Sequence, residues 1–270
     1  MKKKVLALAC AALTSLVMNG CSPKTNNTEN EKTEAVEITL IDAIGHPVVH
    51  DHQLYPNVPD SLWEALGLQE GVPSAINCFL LQIDSTTLLI DAGLDTPTSQ
   101  LQPTLTQKGL KAEDVQYIYI SHLHPDHIGG LLHDGKAVFA EAQLYINSKE
   151  AEAWKAMPSD QNGLAMAVMT AYGDRIHTFN AGDTLPGGVI AIAAYGHTPG
   201  HTLFQKDSNL FVSDLIHGAA LQLEHPEYGA AYDMDAEAAC QARKEMLAYA
   251  KENQLKIYGM HIRNCFDFIQ

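Results

Sequence analysis

Between positions 121 and 130 the chain reads SHLHPDHIGG, which places His122, His124, Asp126 and His127 within one short run and follows them with two glycines. Imidazole suits zinc, and a carboxylate beside it makes a harder second position. Helical ligand pairs sit at i, i+4 on one face. His122 and His124 are instead at i, i+2, with Pro125 standing before Asp126. The run is therefore expected as a turn at the end of a buried strand rather than a helix, with Gly129 and Gly130 letting the chain turn sharply away. Four such groups exceed what one catalytic zinc takes from a single turn, and two adjacent metals use them better.

Further groups of the right type recur where later apolar runs stop. GHTPGH (196–201) supplies His197 and His201, FVSDLIHG supplies Asp214 with His217 three residues on, and IYGMHI supplies His261. Ligands at strand ends can converge on one edge of a layered fold, where a rigid scaffold holds them. There is no GxSxG elbow and no phosphate-binding P-loop, which fits hydrolysis driven by metal. His46, His50 and His52 in HPVVHDH are expected on a substrate-side loop or solvated surface rather than in a third metal site. Trp63 and Trp154 are expected to pack.

The elements that must position these groups follow from periodicity. A strand is expected over 36–44, and NCFLLQID and TTLLIDAG form a hairpin turning at 84–86. The run 115–121 is apolar on both faces, as in a strand buried between layers. Further strands are expected over 142–148, 187–196 and 255–261, and a second hairpin over 202–214. Two short helices between Ser148 and Tyr172 could form a flap over the site. A long helix runs from Asp235 to about Asn253, with Ala238, Ala242, Met246 and Ala250 on its core face.

HxHxDH, then GHTPGH, then an aspartate behind a strand and a late histidine together resemble the metallo-β-lactamase superfamily, over most of residues 37–261. The resemblance implies an α/β fold, a four-layer αββα sandwich, with a dinuclear centre at one edge. It implies that His122, His124 and His197 bind one metal, that Asp126, His127 and His261 bind the other, and that Asp214 bridges them. It also implies a bridging hydroxide as nucleophile, with Asp126 positioning the metal-bound water. NCFLLQIDSTTLLIDAGL is similar to the family's opening hairpin, with Asp91 near the metals. Asp91, Ser121, His201 and His217 are expected behind the ligands or on the pocket wall. PNVPDSLWEALGL and SDLIHGAALQLEHPE resemble the methyl parathion hydrolase-like branch. The implied cofactors are two divalent ions, zinc by default, with iron or manganese fitting the same ligands.

The expected activity is hydrolysis of a small ester, lactone or phosphotriester. The alternatives are an iron-dependent sulfur dioxygenase or thioesterase of the same fold, and a non-catalytic metal-binding envelope lipoprotein with a degenerate site. The last is favoured by the short tail after His261, where the branch usually carries a proline-containing turn and a final strand.

The chain has 270 residues and a formal net charge of −15, which offers no footprint for a phosphate backbone and sets nucleic acid aside as a partner. Its beginning is expected to be a secretory signal over 1–21: Lys2, Lys3 and Lys4 precede an apolar run over 5–18 that is short for a membrane span. VMNGC resembles a bacterial lipobox, which implies lipidation of Cys21 and export to the cell envelope, in the periplasm or on the outer surface. Residues 22–36 are polar enough to serve as a flexible tether, leaving 37–270 as the domain. Membrane contact is then expected only through the lipid, because removing the signal takes away three lysines and no acid. Besides Cys10 and Cys21 the chain holds Cys78, Cys240 and Cys265, without CxxC spacing, so neither a disulfide framework nor thiolate metal ligation is expected.

Overall fold

The computed structural model describes residues 36–264 together with 266–267. The signal segment, Cys21, Cys265 and the tether, apart from Val36, lie outside the described residues. Two six-stranded sheets carry the fold. In the first, the strands run in the order Val36–Asp42, Asn77–Ile83, Thr86–Ile90, Tyr117–Ile120, Gln143–Asn147, Ile176–Phe179. The first three pair antiparallel and the rest parallel. In the second the order is Thr184–Leu185, Val189–Ala193, Thr202–Lys206, Asn209–Phe211, Lys256–Tyr258, Phe266–Asp267. Its one parallel pair, Asn209–Phe211 with Lys256–Tyr258, is joined through the long Ala236–Glu252 helix.

Strand alternation sorts the apolar side chains into three packing zones. Phe79, Leu81 and Ile83 point one way and meet Phe204, Phe211 and Tyr258 of the opposite sheet. Their neighbours Cys78 and Leu80 point the other way, into the cluster formed with the Leu101–Gln107, Ser148–Ala156 and Gly163–Tyr172 helices. On the far side, Leu203, Leu210 and Ile257 pack against Leu247 and Ala250 of the long helix. Both faces of both sheets are thus covered: helix, sheet, sheet, helix, as in the four-layer αββα sandwich. Covered faces explain why Tyr117–Ile120 carries no polar stripe.

Several expectations are corrected. The helices Ser148–Ala156 and Gly163–Tyr172 are present, but they are a core layer and not a flap: Trp154, Val168 and Tyr172 are buried in the first packing zone. On the long helix the buried face is Ala239, Arg243, Leu247 and Ala250; Ala250 is where it was expected, while Ala238, Ala242 and Met246 flank the face, each one residue before a buried position. An arginine can sit there because its guanidinium is satisfied by Leu215 O, Pro226 O and Asp233. After His261 the chain does return to the sheet, as Phe266–Asp267 paired with Lys256–Tyr258. Trp63 packs as expected, buried in a satellite cluster with Tyr55 and stacked on His52. Cys78 and Cys240 are free. Among the described residues, no helix is long and apolar enough to cross a membrane.

Candidate metal centre

The strand Tyr117–Ile120 delivers Ser121 and His122 to the sheet edge, and both are fully buried. His124 then caps a single helical turn, Pro125–Ile128, that carries Asp126 and His127. The expectation of a non-helical run therefore holds only up to His124. Pro125 does not prevent the turn because proline lacks only an N–H that the first helical position leaves unpaired. Gly129 and Gly130 do not serve through the conformational freedom of glycine, since neither has a positive φ. Gly130 is required by packing, since a Cβ there would lie 2.2 Å from Ala92 O. His197 follows the strand Val189–Ala193, Asp214 sits in the turn Ser213–Leu215 after Asn209–Phe211, and His261 follows Lys256–Tyr258.

These groups meet in two sets that share Asp214. One ligand atom each from His122, His124, His197 and Asp214 lie within 4.8 Å of one another, and so do atoms from Asp126, His127, Asp214 and His261. In the first set His124 Nδ1 is 2.9 Å from both His122 Nε2 and His197 Nε2, those two are 3.2 Å apart, and Asp214 Oδ2 is 3.2 Å from His197 Nε2 and 3.7 Å from His122 Nε2. Tetrahedral zinc with nitrogen and oxygen ligands at its usual bond lengths has ligand-to-ligand edges of about 3.4 Å. In the second set Asp214 Oδ1 is 2.8 Å from His127 Nε2, Asp214 Oδ2 is 3.3 Å from His261 Nε2, and Asp126 Oδ2 is 3.5 Å from His261 Nε2 and 3.9 Å from His127 Nε2.

The donor set fits cations rather than mutual hydrogen bonding. His197 Nδ1 is 2.9 Å from Asp233 Oδ1, His127 Nδ1 is 2.9 Å from Asp91 Oδ2 and His261 Nδ1 is 2.7 Å from the Ala75 carbonyl. Acceptors on the Nδ1 side place the proton there, which turns each Nε2 lone pair toward the shared carboxylate. His127 Nε2 and Asp214 Oδ1 are buried and close, yet neither has an aligned hydrogen-bond partner. Lone pairs converging on lone pairs call for positive charge between them.

The protonation pattern of the metal-free protein reports the same demand. Burial alone would depress His127, but Asp214, Asp91 and Asp126 hold its imidazolium well above the usual range. Burial likewise opposes the charge on His197, but Asp214 and Asp233 raise it to about 9. His261 is raised against its burial by Asp214 and Asp126. Burial keeps His122 well below its usual value and takes His124 down to about 3, in each case reinforced by neighbouring histidines. Burial would raise Asp214, but the histidines around it hold it well below the carboxylate range.

An outer ring of buried groups orients the ligands. Asp91, at a left-handed φ of 58°, accepts from Ser121 N at 2.8 Å and from Ser121 Oγ at 2.7 Å besides holding His127. Ser213, also left-handed at φ 46°, donates its hydroxyl to Ser121 Oγ at 2.7 Å. Non-glycine residues in this region carry strain that the surrounding structure must support. His201 packs behind His122 and His197, with Nδ1 2.9 Å from Ala194 O, and belongs to neither ligand set. His217 stacks on His261, with Nε2 3.2 Å from Asp214 Oδ2.

Two participants were not legible in the motifs. Asp233 holds His197 and is itself held by Arg243 Nη2 at 3.2 Å, both partners being buried. In the run YDMDAE only Asp235 carries a signal, as the helix cap. Glu150 has no signal beyond its place in a helical first turn. Of the three histidines in HPVVHDH, expected on a substrate-side loop or solvated surface, His50 lines the cavity over Asp214, whereas His52 stacks on Trp63 and His46 is exposed.

A cavity of about 380 Å³ opens over Asp214. Ile76, Leu94, Pro125 and Tyr232 supply its apolar wall, and His50, His124, Asp126, His217 and His261 its polar floor. Among the described residues, no lysine or arginine lines it.

The profile of the metallo-beta-lactamase superfamily matches residues 71–261. The uncharacterized protein YobT of Bacillus subtilis (strain 168) is 26% identical over 156 residues, covering 55% of this chain and 63% of its own length. Exodeoxyribonuclease WalJ of Streptococcus pneumoniae is 31% identical over 147 residues, covering 52% and 49%. The chain thus spans between about half and just under two thirds of these relatives. Among solved structures, the dizinc quorum-quenching lactonase AidC superposes with a TM-score of 0.75 at 23% identity, over 85% of this chain and 88% of that one. The hydrolase AbOPH superposes with a TM-score of 0.71 at 26% identity, over 84% and 87%.

Proposed function

The chain belongs to the metallo-beta-lactamase superfamily, and from that membership we propose that it is a two-cation hydrolase of small neutral esters, with lactones and phosphotriesters in the same class. The observation that carries the reading is the shared Asp214 at the floor of an apolar cavity whose wall offers no lysine or arginine. A substrate bearing a carboxylate or phosphodiester would find no side-chain cation to pair with there, whereas a neutral ester is accommodated by Ile76, Leu94 and Tyr232. Similarity in fold to a dizinc lactonase supports the lactone end of the range.

A pair of divalent cations supplies acidification of water and polarisation of the scissile oxygen. The chain's own groups prepare that chemistry. Asp214 places a carboxylate oxygen toward each ligand set, and the Nδ1 acceptors Asp91, Asp233 and Ala75 O keep the ring faces of His127, His197 and His261 fixed. Asp126, on the cavity side, can orient a water by accepting its hydrogen bond. His217, which burial lowers to about 4, is neutral at pH 7 and sets Nε2 3.2 Å from Asp214 Oδ2, backing the shared carboxylate without adding charge. Zinc is the ion that best suits three imidazoles and a carboxylate.

The methyl parathion hydrolase-like placement belongs to the same proposal, supported by SDLIHGAALQLEHPE, which sets His217 on the cavity wall. So does attachment to the bacterial envelope through a lipid on Cys21, supported by the basic start, the short apolar run and VMNGC.

The test is a substrate panel on the zinc-loaded protein: a γ-lactone, an aryl ester, an aryl phosphotriester, an aryl phosphodiester and single-stranded DNA. Turnover is expected for the neutral compounds and not for the two anionic ones. Hydrolysis of the phosphodiester or DNA with none of the neutral compounds would overturn the substrate assignment, and metal binding with no turnover at all would favour a non-catalytic metal-binding protein.

A further inference from the structure

Glu150 lies in neither ligand set, yet its side chain is fully buried at the first turn of the Ser148–Ala156 helix. A buried carboxylate is retained only where hydrogen bonds replace its lost water. Here they come from two different ligand loops. Glu150 Oε1 accepts from Leu123 N at 2.9 Å, and Leu123 stands between His122 and His124. Glu150 Oε2 accepts from Gly200 N at 2.8 Å, in the GHTPGH loop that carries His197. Trp154 Nε1, one helical turn on, donates to Oε1 at 2.7 Å and fixes the rotamer. The approach is close enough to exclude any side chain at position 200: a Cβ there would lie 2.3 Å from Glu150 N and 2.5 Å from its Cβ. The same helix start adds a second stitch, because Asn147 Nδ2 donates to Thr202 Oγ1 at 3.0 Å while Thr202 N donates to Ser121 O at 3.0 Å.

We infer that Glu150 is a positioning residue that fixes the His122–His124 loop against the His197 loop and thereby sets the affinity of the first cation position. The inference rests on the two-cation reading proposed above. The geometry explains why a carboxylate stands there. Three N–H donors converge on it, and only a group with two acceptor oxygens meets all of them. A glutamine of the same shape would turn an NH₂ against one loop's N–H. The second cation position draws nothing from the His197 loop, so the effect should be selective.

The experiment has two arms. In the first, amide hydrogen exchange is measured on the metal-free wild-type protein. The Leu123 and Gly200 amides are expected to be protected as strongly as those of the buried strand Tyr117–Ile120, and exchange at the rate of exposed loop amides would overturn the brace. In the second, zinc is titrated against a chelator in wild type and Glu150→Gln. Two positions are expected in wild type, with one of them weakened about 10–100-fold in the variant and the other unchanged. Unchanged affinity at both would overturn the inference, because a residue that merely supports folding would leave the folded protein's zinc affinity intact. If Glu150→Gln does not fold, Glu150→Asp is titrated instead, since its shorter side chain reaches one loop but not both, and the same selective loss is expected. If neither variant folds, the exchange arm decides. Wild type that binds no zinc would count against the two-cation reading, while the exchange arm would still test the brace.

Discussion

In the first set His122 and His197 are buried and only His124 lines the cavity, while in the second Asp126 and His261 line it and only His127 is fully buried. The Asp126 side chain is 27% exposed, and His261 is held through Nδ1 by a single backbone carbonyl, that of Ala75. Only His127 in this second set is held by a buried acid, Asp91. In the first set Asp233 and Arg243 lock His197, and Glu150 ties its loop to that of His122 and His124. The difference teaches which half is preorganised. Outer hydrogen bonds fix ring orientation and raise ligand basicity, so the inner position should fill first and release last. The outer one faces the cavity, where a substrate oxygen must arrive.

The strongest way to break this comparison is to remove the group the halves share. Asp214→Ala should abolish occupancy of both positions, cutting ester turnover by at least about 10³-fold, beyond the 10–100-fold typical of losing an outer partner. Metal content of the purified variant checks it. His261→Ala should separate the halves, with one metal lost from the cavity side and the other kept, as read by metal analysis and loss of turnover. Asp233→Asn keeps shape but removes the charge behind His197, and should weaken the inner position alone by about 10–100-fold. The smallest change is expected at His133, which is exposed beside Asp95 and outside both sets. His133→Ala should leave metal content unaltered and shift stability by under about 0.5 kcal/mol.

Much of this comparison was legible in the sequence. The convergence of these histidines and aspartates follows from residue type and from position behind apolar runs, because strand ends are where a rigid layer presents side chains. The apolar runs NCFLLQID and TTLLIDAG on either side of the polar turn at 84–86 made the hairpin readable, and the uniformly apolar YIYI marked a strand with both faces covered. The outer partners were hidden for physical reasons. Asp233 pairs with a histidine 36 residues earlier, which no local pattern encodes. Arg243 sits on a buried helix face, where a charged residue ordinarily marks the solvent side. The helices Ser148–Ala156 and Gly163–Tyr172 have the same short pattern whether they cover a site or pack as a layer, and only the tertiary contacts distinguish the two.

Acidity offers a further test of the comparison, on the metal-free protein. Burial lowers His124 and His201 to about 3, and His50 and His217 to about 4. Groups depressed in this way contribute stability that is fully present above the unfolded value of about 6.5 and is lost as pH falls toward the folded values. His197, raised to about 9, contributes the opposite way: its stabilisation is complete below about 6.5 and is lost as pH rises through 9. More histidines are depressed than raised, so unfolding is expected on acidification between about pH 6.5 and 4, with a smaller loss of stability as pH rises from about 6.5 through 9. Circular dichroism across pH checks this. Added zinc should move the acid transition to lower pH, because ligand binding to the folded state competes with protons.

The measurement that bears most directly on the central claim is zinc content per chain in the purified wild-type protein, taken before and after exhaustive chelation with graded re-addition. About two zincs are expected, released in two separable steps, with ester turnover lost when the first ion leaves and restored only when both are back. A single zinc at saturation with full turnover, or none at all, would contradict a centre built around a shared Asp214.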